Sequence, residues 1–144
     1  MTSVFQIHAE VDNHLTIQID ATELHQILTN LIVNARDAMK HGGHITVSLK
    51  LVMTHELLCN ACAHTLESEF IELCVADNGT GIDDKVIEHI FDPFFTTKKI
   101  GEGTGLGLAT VSGMVHEAQG HIVVESRTTE PNRGTAFRLL FALS

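Results

Sequence analysis

Two glycine-rich segments constrain this chain more than any other feature. Residues 77–82 read DNGTGI and begin with an aspartate, and residues 101–108 read GEGTGLGL. Glycine weakens a regular helix or strand, so this density indicates backbone that approaches a ligand closely or adopts positive φ. The second segment leads into an apolar helical pattern, and the free N–H groups at a helix start attract anions. An acid followed by an anion site suggests a nucleotide, with the acid at a base edge and the N–H groups at the phosphates.

Composition limits the possible partners. A length of 144 residues fits one domain, and a hydrophobic content of 44% is enough for a core. The net charge of −9 argues against a nucleic-acid partner, which needs basic patches. An acidic protein holds a polyphosphate when a divalent cation screens the charge, so we expect Mg²⁺ beside any nucleotide. No apolar run has the roughly 18–20 residues needed to cross a bilayer, and three cysteines do not suggest a disulfide framework, so we expect a cytoplasmic domain.

Hydrophobic periodicity predicts alternating strands and helices. The predicted strands are 4–11, 15–19, 44–53, 70–76, 121–126 and 135–143. The predicted helices begin at a cap at Asp20 or Thr22 and end at Gly42, run over 83–90, and run over 104–119. Residues 54–68 are predicted as a loop or a short helical excursion, and 91–103 as a loop. We therefore expect an α/β (α+β) two-layer sandwich, in which three helices cover one face of a mixed, mostly antiparallel sheet.

Four motifs follow one another in order. They are NLIVNARDA at 30–38, DNGTG at 77–81, FDPFF at 91–95 and GEGTGLGL at 101–108. With these motifs the chain resembles the catalytic, ATP-binding domain of sensor histidine kinases, whose N, G1, F and G2 boxes they match. The segment GTAF at 134–137 is similar to the last glycine box. The resemblance covers nearly the whole chain and is closest to the nitrogen-sensor type, so it implies a Bergerat fold and a single domain over 1–144.

Asn30 and Asn34 lie four residues apart and therefore share one face of the first predicted helix. Asparagine side-chain oxygens are hard neutral ligands that suit Mg²⁺. The resemblance implies that Asn34 binds Mg²⁺ and that Asn30 lies near the γ-phosphate; capping of neighbouring backbone is the structural alternative. Related ATPases carry a glutamate at position 30 to activate water, and an amide cannot act as a general base. Asn30 therefore favours phosphate transfer to another protein over hydrolysis.

Asp77 is the predicted purine-recognition residue. Its carboxylate can accept a hydrogen bond from the adenine amino group, whereas guanine presents a carbonyl there and is rejected. Gly79 and Gly81 allow the base to lie against backbone. A helix or turn cap is the alternative role for Asp77.

Three basic residues are candidates for the side chain that binds the phosphates. Asp37 stands where many kinases of the family carry a basic residue and in this resembles the ATPase branch, so Arg36, Lys98 and Lys99 are the candidates for the missing charge. We favour Lys98, in the predicted lid, as a catalytic residue with Asn30 and Asn34; a surface ion pair is the alternative for Lys98. The resemblance implies that the nucleotide also contacts Arg36, Asp37, Ile82, Phe94, Thr97, Gly101, Gly103, Thr104, Gly105, Leu106, Gly107, Leu108 and Thr135. Core packing without nucleotide contact is the alternative for the aromatic residues of 91–95.

A second group of residues has metal-binding chemistry. His55, Cys59, Cys62 and His64 fall within ten positions and could bind Zn²⁺. Their spacing matches no common zinc finger, so chance is the simpler explanation.

The resemblance also implies the partners. It implies a kinase that binds Mg-ATP and donates the γ-phosphate to a histidine on its own dimerisation domain, outside this chain, and from there to a response regulator. We expect no contact of this domain with nucleic acid or membrane, although the full-length protein can be membrane-anchored, and we expect a monomer. Two alternatives remain: an ATPase switch of the gyrase or chaperone type, and a degenerate module that binds nucleotide or protein without catalysis.

Overall fold

The computed structural model describes residues 4–95 and 107–143. The main-sheet strands are β1 (Val4–Val11), β2 (Gly42–Met53), β5 (Glu69–Asp77), β6 (His121–Arg127) and β7 (Gly134–Ala142), and β3 (Leu57–Leu58) and β4 (Thr65–Leu66) form a separate ribbon. The helices are α1 (Ala21–Asp37), α2 (Asp84–Ile87) and α3 (Gly107–Glu117).

The main sheet has the strand order β1-β2-β5-β7-β6. β1 pairs with β2 in parallel, because α1 carries the chain back across the sheet between them, and the other three pairings are antiparallel. The predicted mixed, mostly antiparallel sheet is confirmed.

The main core lies between the sheet and the helices. Asp20 caps α1 by accepting hydrogen bonds from the backbone N–H groups of Thr22 and Glu23. Three residues at four-residue spacing on α1 are buried against alternate residues of the strands: Ile27, Leu31 and Ala35. Along β5, Leu73 and Val75 point into this core, and Asp77 continues the same row because side chains alternate along a strand. The sheet therefore presents Asp77 to the helix-covered face.

Two sequence predictions of secondary structure are wrong. Residues 15–19 form no strand; Ile17 and Ile19 pack partly buried against the core, and the backbone makes local bonds instead, such as Ile19 N–H to the Ile17 carbonyl at 3.1 Å. Residues 54–68 contain the β3–β4 hairpin rather than only a loop or helical turn. Strands of two residues are too short to carry a hydrophobic period, which is why the pattern missed them.

The hairpin packs on the opposite face of the sheet from the helices. On that face Leu66 and Cys59 are buried against Val123 and Leu140, and the four residues form a second, smaller apolar cluster. No helix within the two described ranges is long and apolar enough to cross a bilayer.

Candidate functional site

Asp77 is held in place by backbone donors. Its Oδ1 accepts a hydrogen bond from the Gly79 N–H at 2.8 Å, and the residue lies opposite Thr135 in the pairing of β5 with β7. Burial raises the pKa of the Asp77 carboxyl, and hydrogen bonds from the Gly79 and Thr135 N–H groups offset part of that rise. A half-buried carboxyl fixed in this way is suited to accept a hydrogen bond from an amino group of a ligand.

The glycine turn after Asp77 is shaped by close backbone contacts. A Cβ at Gly79 would lie 2.6 Å from the carbonyl oxygen of Ala38, just beyond the end of α1. Gly81 has a φ of +76°, and a Cβ there would collide with the carbonyl oxygen of Arg127. Both positions exclude a side chain because its Cβ would collide with the chain's own backbone, whereas the approach of a base to Gly79 and Gly81 stays a prediction.

Ser126 is a site residue that the sequence did not single out. Its Oγ accepts the Ile82 N–H at 2.7 Å, donates to the Gly134 carbonyl at 3.1 Å and lies 2.8 Å from Thr135 Oγ1. The hydroxyl thereby ties the glycine turn to the start of β7. No local motif marks Ser126, because only the pairing of β6 with β7 brings it opposite Thr135.

Asn30 links the two long helices. Its Nδ2 donates a hydrogen bond to the carbonyl oxygen of Gly107, the first residue of α3, at 3.3 Å. Asn34 lies one turn further along α1 and is half-buried. The predicted shared face of Asn30 and Asn34 therefore meets the start of α3 at Asn30.

The charged residues next to Asn34 lie at the surface. Arg36 Nη2 is 3.5 Å from Asp37 Oδ1, and the two side chains are 56% and 34% exposed. An ion pair this exposed to water contributes little to stability, so it does little to hold the Arg36 guanidinium away from an incoming anion.

The remaining predicted contacts divide into two groups. Ile82 and Leu108 are partly buried against the main core, whereas Phe94 is 73% exposed with a φ of +66°. The other group lies outside the described residues: Thr97, Lys98, Lys99, Gly101, Gly103, Thr104, Gly105 and Leu106.

An open cavity of about 560 Å³ lies at this end of the sheet, lined in part by Asp77, Ser126, Gly134 and Thr135. Its volume is in the range of small-molecule sites. The cavity also reaches Glu125, on the other face of the sheet. Its volume therefore includes space outside the helix-covered face, where a purine would lie beside Asp77.

Comparison with known proteins identifies the class. The family model for histidine kinase-, DNA gyrase B- and HSP90-like ATPases matches residues 19–144. The chain belongs to this family, which uses ATP.

The proteins to which this chain is similar include sensor kinases. Sensor kinase CckA of Brucella abortus is 39% identical over 123 residues, which are 85% of this chain and 13% of that protein. The histidine-protein kinase AtoS of Escherichia coli is 36% identical over 137 residues, or 94% of this chain and 19% of that protein. The catalytic domain of histidine kinase ThkA, without nucleotide, is 28% identical with a TM-score of 0.70 over 96% of this chain and 78% of that one. The chain thus spans less than a fifth of the two curated relatives named here.

Proposed function

We propose that this chain is the catalytic domain of a two-component sensor histidine kinase, which binds Mg-ATP and presents the γ-phosphate to a histidine on a separate domain. The observation that carries the proposal is the fixed, half-buried carboxyl of Asp77 at the end of the helix-covered face. An acceptor in this position suits the amino group of adenine, and the family match supplies the nucleotide class.

The residues present fit a magnesium nucleotide. Asn34 is half-buried one helical turn after Asn30, which contacts the start of α3, and its neutral amide oxygen is suited to Mg²⁺. When bound, Mg²⁺ neutralises phosphate charge in a chain whose own net charge is −9. Lys98, outside the described residues, is our proposed cation for the γ-phosphate, with Arg36 as the second candidate.

In this proposal the residues of this chain position the nucleotide and do not themselves react with it. Asp77 orients the base, and Asn30 joins α1 to the first residue of α3, so the two walls of the proposed phosphate site are held together. Phosphoryl transfer depends mainly on positioning and charge neutralisation, and the nucleophile belongs to the partner histidine. We propose that the partners are this phosphoacceptor domain and, through it, a response regulator, and that the chain by itself is a cytoplasmic monomer.

Calorimetric titration with Mg-ATP tests the proposal. We expect saturable binding of one nucleotide, and binding weakened about 10-fold to 100-fold in Asp77→Asn, because a hydrogen bond to a charged group contributes about 1.5–3 kcal/mol. Asp83→Asn is the matched control, since Asp83 is an exposed carboxylate that caps α2 through the Lys85 N–H at 2.9 Å. The absence of binding heat for ATP and ADP in the wild-type chain would overturn the proposal.

Two further measurements separate the alternatives. Steady ATP hydrolysis at about one turnover per second or faster would instead indicate an ATPase switch. Transfer of labelled γ-phosphate to an isolated phosphoacceptor domain of a related sensor kinase, as acid-labile phosphohistidine, would distinguish a kinase from a degenerate binding module.

A further inference from the structure

A cluster of four potential metal ligands lies away from the nucleotide site. Cys59, Cys62, His116 and His121 each present one ligand atom, and all four atoms lie within 4.8 Å of one another. The two cysteines follow β3 in the hairpin, His116 lies near the end of α3, and His121 begins β6. At a rise of about 1.5 Å per residue, His116 is about 14 Å along α3 from Gly107, where Asn30 binds.

We propose that these four residues form a structural Zn²⁺ site that fastens the β3–β4 hairpin to α3 and to the edge of the main sheet. Two thiolates and two imidazoles are a common closed ligand set for tetrahedral zinc. The site differs from the one suggested by the local sequence, because His116 and His121 replace His55 and His64.

The distances fit a tetrahedral centre. Zinc–sulfur bonds of about 2.3 Å and zinc–nitrogen bonds of about 2.0–2.1 Å place neighbouring sulfur and nitrogen ligands about 3.6 Å apart. Cys59 Sγ lies 3.8 Å from His116 Nε2, and Cys62 Sγ lies 3.4 Å from His121 Nδ1. Even a pair at the 4.8 Å limit of the cluster has to close by only about 1.0–1.5 Å to reach the separations of a tetrahedral zinc site.

The groups around His116 prepare it for a metal. Its Nδ1 lies 2.7 Å from the Ser112 carbonyl oxygen one turn earlier in α3 and therefore carries the proton. Nε2 is then the unprotonated nitrogen, and it is the atom that points to Cys59. A ligating histidine commonly donates its other N–H to a backbone carbonyl in this way.

The cysteine turn is anchored before any metal arrives. The Asn60 N–H donates to the Ile122 carbonyl at 2.7 Å, and Asn60 Oδ1 accepts the Val124 N–H at 2.8 Å, so the turn continues the hydrogen bonding of the edge strand β6. The Ile122 N–H also donates to Cys59 Sγ at 3.3 Å. Backbone donors that point to sulfur stabilise a thiolate.

The chemistry balances without any oxidant. Binding of Zn²⁺ releases the two thiol protons to solvent, and the two thiolate charges cancel the charge of the metal. A neutral centre is compatible with a ligand set that is buried or half-buried.

His64 is the main competitor within the described residues. Its Nδ1 lies 3.0 Å from Cys62 Sγ, although it does not share the 4.8 Å neighbourhood of the other four ligand atoms. His64→Gln is therefore a diagnostic variant. We expect it to keep zinc, whereas loss of zinc in His64→Gln with retention in His121→Gln would overturn the proposed ligand set.

The test uses the 144-residue chain, kept reduced and free of oxygen. We expect one tightly held Zn²⁺ per chain after dialysis, and a visible absorption spectrum of tetrahedral cobalt with sulfur charge transfer when Co²⁺ replaces it. Cys62→Ser and His116→Gln should each weaken zinc binding by about tenfold or more. Cys74→Ser and His55→Gln are the matched controls and should leave it unchanged.

Two results would overturn the proposal. One is a reduced wild-type chain that binds neither Zn²⁺ nor Co²⁺ above the level of Cys62→Ser. The other is a cobalt spectrum without sulfur ligation. Because the cobalt spectrum is read on the wild-type chain, a variant that fails to fold does not remove the test. Zinc is also expected to raise the thermal midpoint of the wild-type chain by more than that of Cys62→Ser, because a ligand that binds the native state more tightly stabilises it more.

Discussion

Asp77 and Thr135 lie directly opposite each other in the pairing of β5 and β7, at the end of the helix-covered face. Ser126 holds the hydroxyl of Thr135 at 2.8 Å and the N–H of Ile82 at 2.7 Å. This end of the site is therefore ordered by the sheet itself. A ligand that binds at this end of the site therefore loses little free energy to the ordering of these side chains.

We expect Asp77→Asn to stabilise the nucleotide-free chain at neutral pH. Burial raises the pKa of Asp77, so the folded chain holds this proton more tightly than the unfolded chain does. The free energy of unfolding then falls as the pH rises from the ordinary carboxyl range through the raised pKa. Asparagine cannot ionise, so the advantage of the variant should grow with pH. Urea unfolding at about pH 4, close to the ordinary aspartate pKa, and at about pH 7, well above it, measures the change. An equal difference at both pH values would contradict the assignment.

We expect Asn34→Ala to remove the magnesium dependence of ATP binding. If the amide oxygen of Asn34 ligates Mg²⁺, wild-type affinity rises with magnesium concentration and that of the variant stays nearly flat. Calorimetric ATP titrations across a magnesium series give the comparison. Asn13→Ala, in the exposed turn after β1, is the matched control. A magnesium response in Asn34→Ala as large as in the wild type would remove Asn34 from the metal site.

We expect Gly81→Ala to destabilise the chain by about 1–3 kcal/mol, the usual cost of a strained backbone conformation. The reason is its φ of +76° and the collision of an added Cβ with the Arg127 carbonyl. Gly113→Ala is the opposite case, because Gly113 lies exposed in α3 with nothing within 4 Å of an added Cβ. That variant should gain about 0.5–1 kcal/mol, since alanine loses less conformational freedom in a helix. Urea midpoints of both variants decide the point; a destabilised Gly113→Ala would contradict it.

We expect Glu72→Ala to be among the most destabilising substitutions on the face of the sheet opposite the helices. Glu72 is 4% exposed, and its Oε2 accepts a hydrogen bond from Arg138 Nε at 2.7 Å. Removing Glu72 takes away the buried partner of Arg138 and leaves that guanidinium, itself 19% exposed, with only the exposed carboxylate of Glu125. We therefore expect a cost of about 3 kcal/mol, near the lower end of the roughly 3–5 kcal/mol found for broken buried ion pairs. Glu125→Ala is the matched control, because Glu125 binds the same arginine at 3.0 Å but is 62% exposed. It should cost less than about 1 kcal/mol. Similar losses in the two variants would show that burial is not the deciding factor.

The features of this protein that could be predicted from the sequence are those that depend on short local patterns. Asp77, Gly79 and Gly81 stand in one short motif, and the motif order identified the family that the comparisons show. The two-layer architecture followed from the hydrophobic periodicity of the predicted strands and helices. The strand predicted at 15–19 was wrong because alternation there reflects packing of Ile17 and Ile19 on the core, which does not require strand pairing.

The sequence by itself determined the fold class and the family, because hydrophobic periods and motifs each depend on residues that are near one another in the chain. Only the tertiary structure decided which side chains meet across the sheet. Ser126 reaches Thr135 through strand register, and Cys59 reaches His116 although 57 residues separate them. The local pattern offered His55 and His64 as partners for the cysteines. Instead, the hairpin packs against the edge strand β6 and the end of α3, which places His121 and His116 next to the cysteines. Residues that are close in the folded chain need not be close in the sequence.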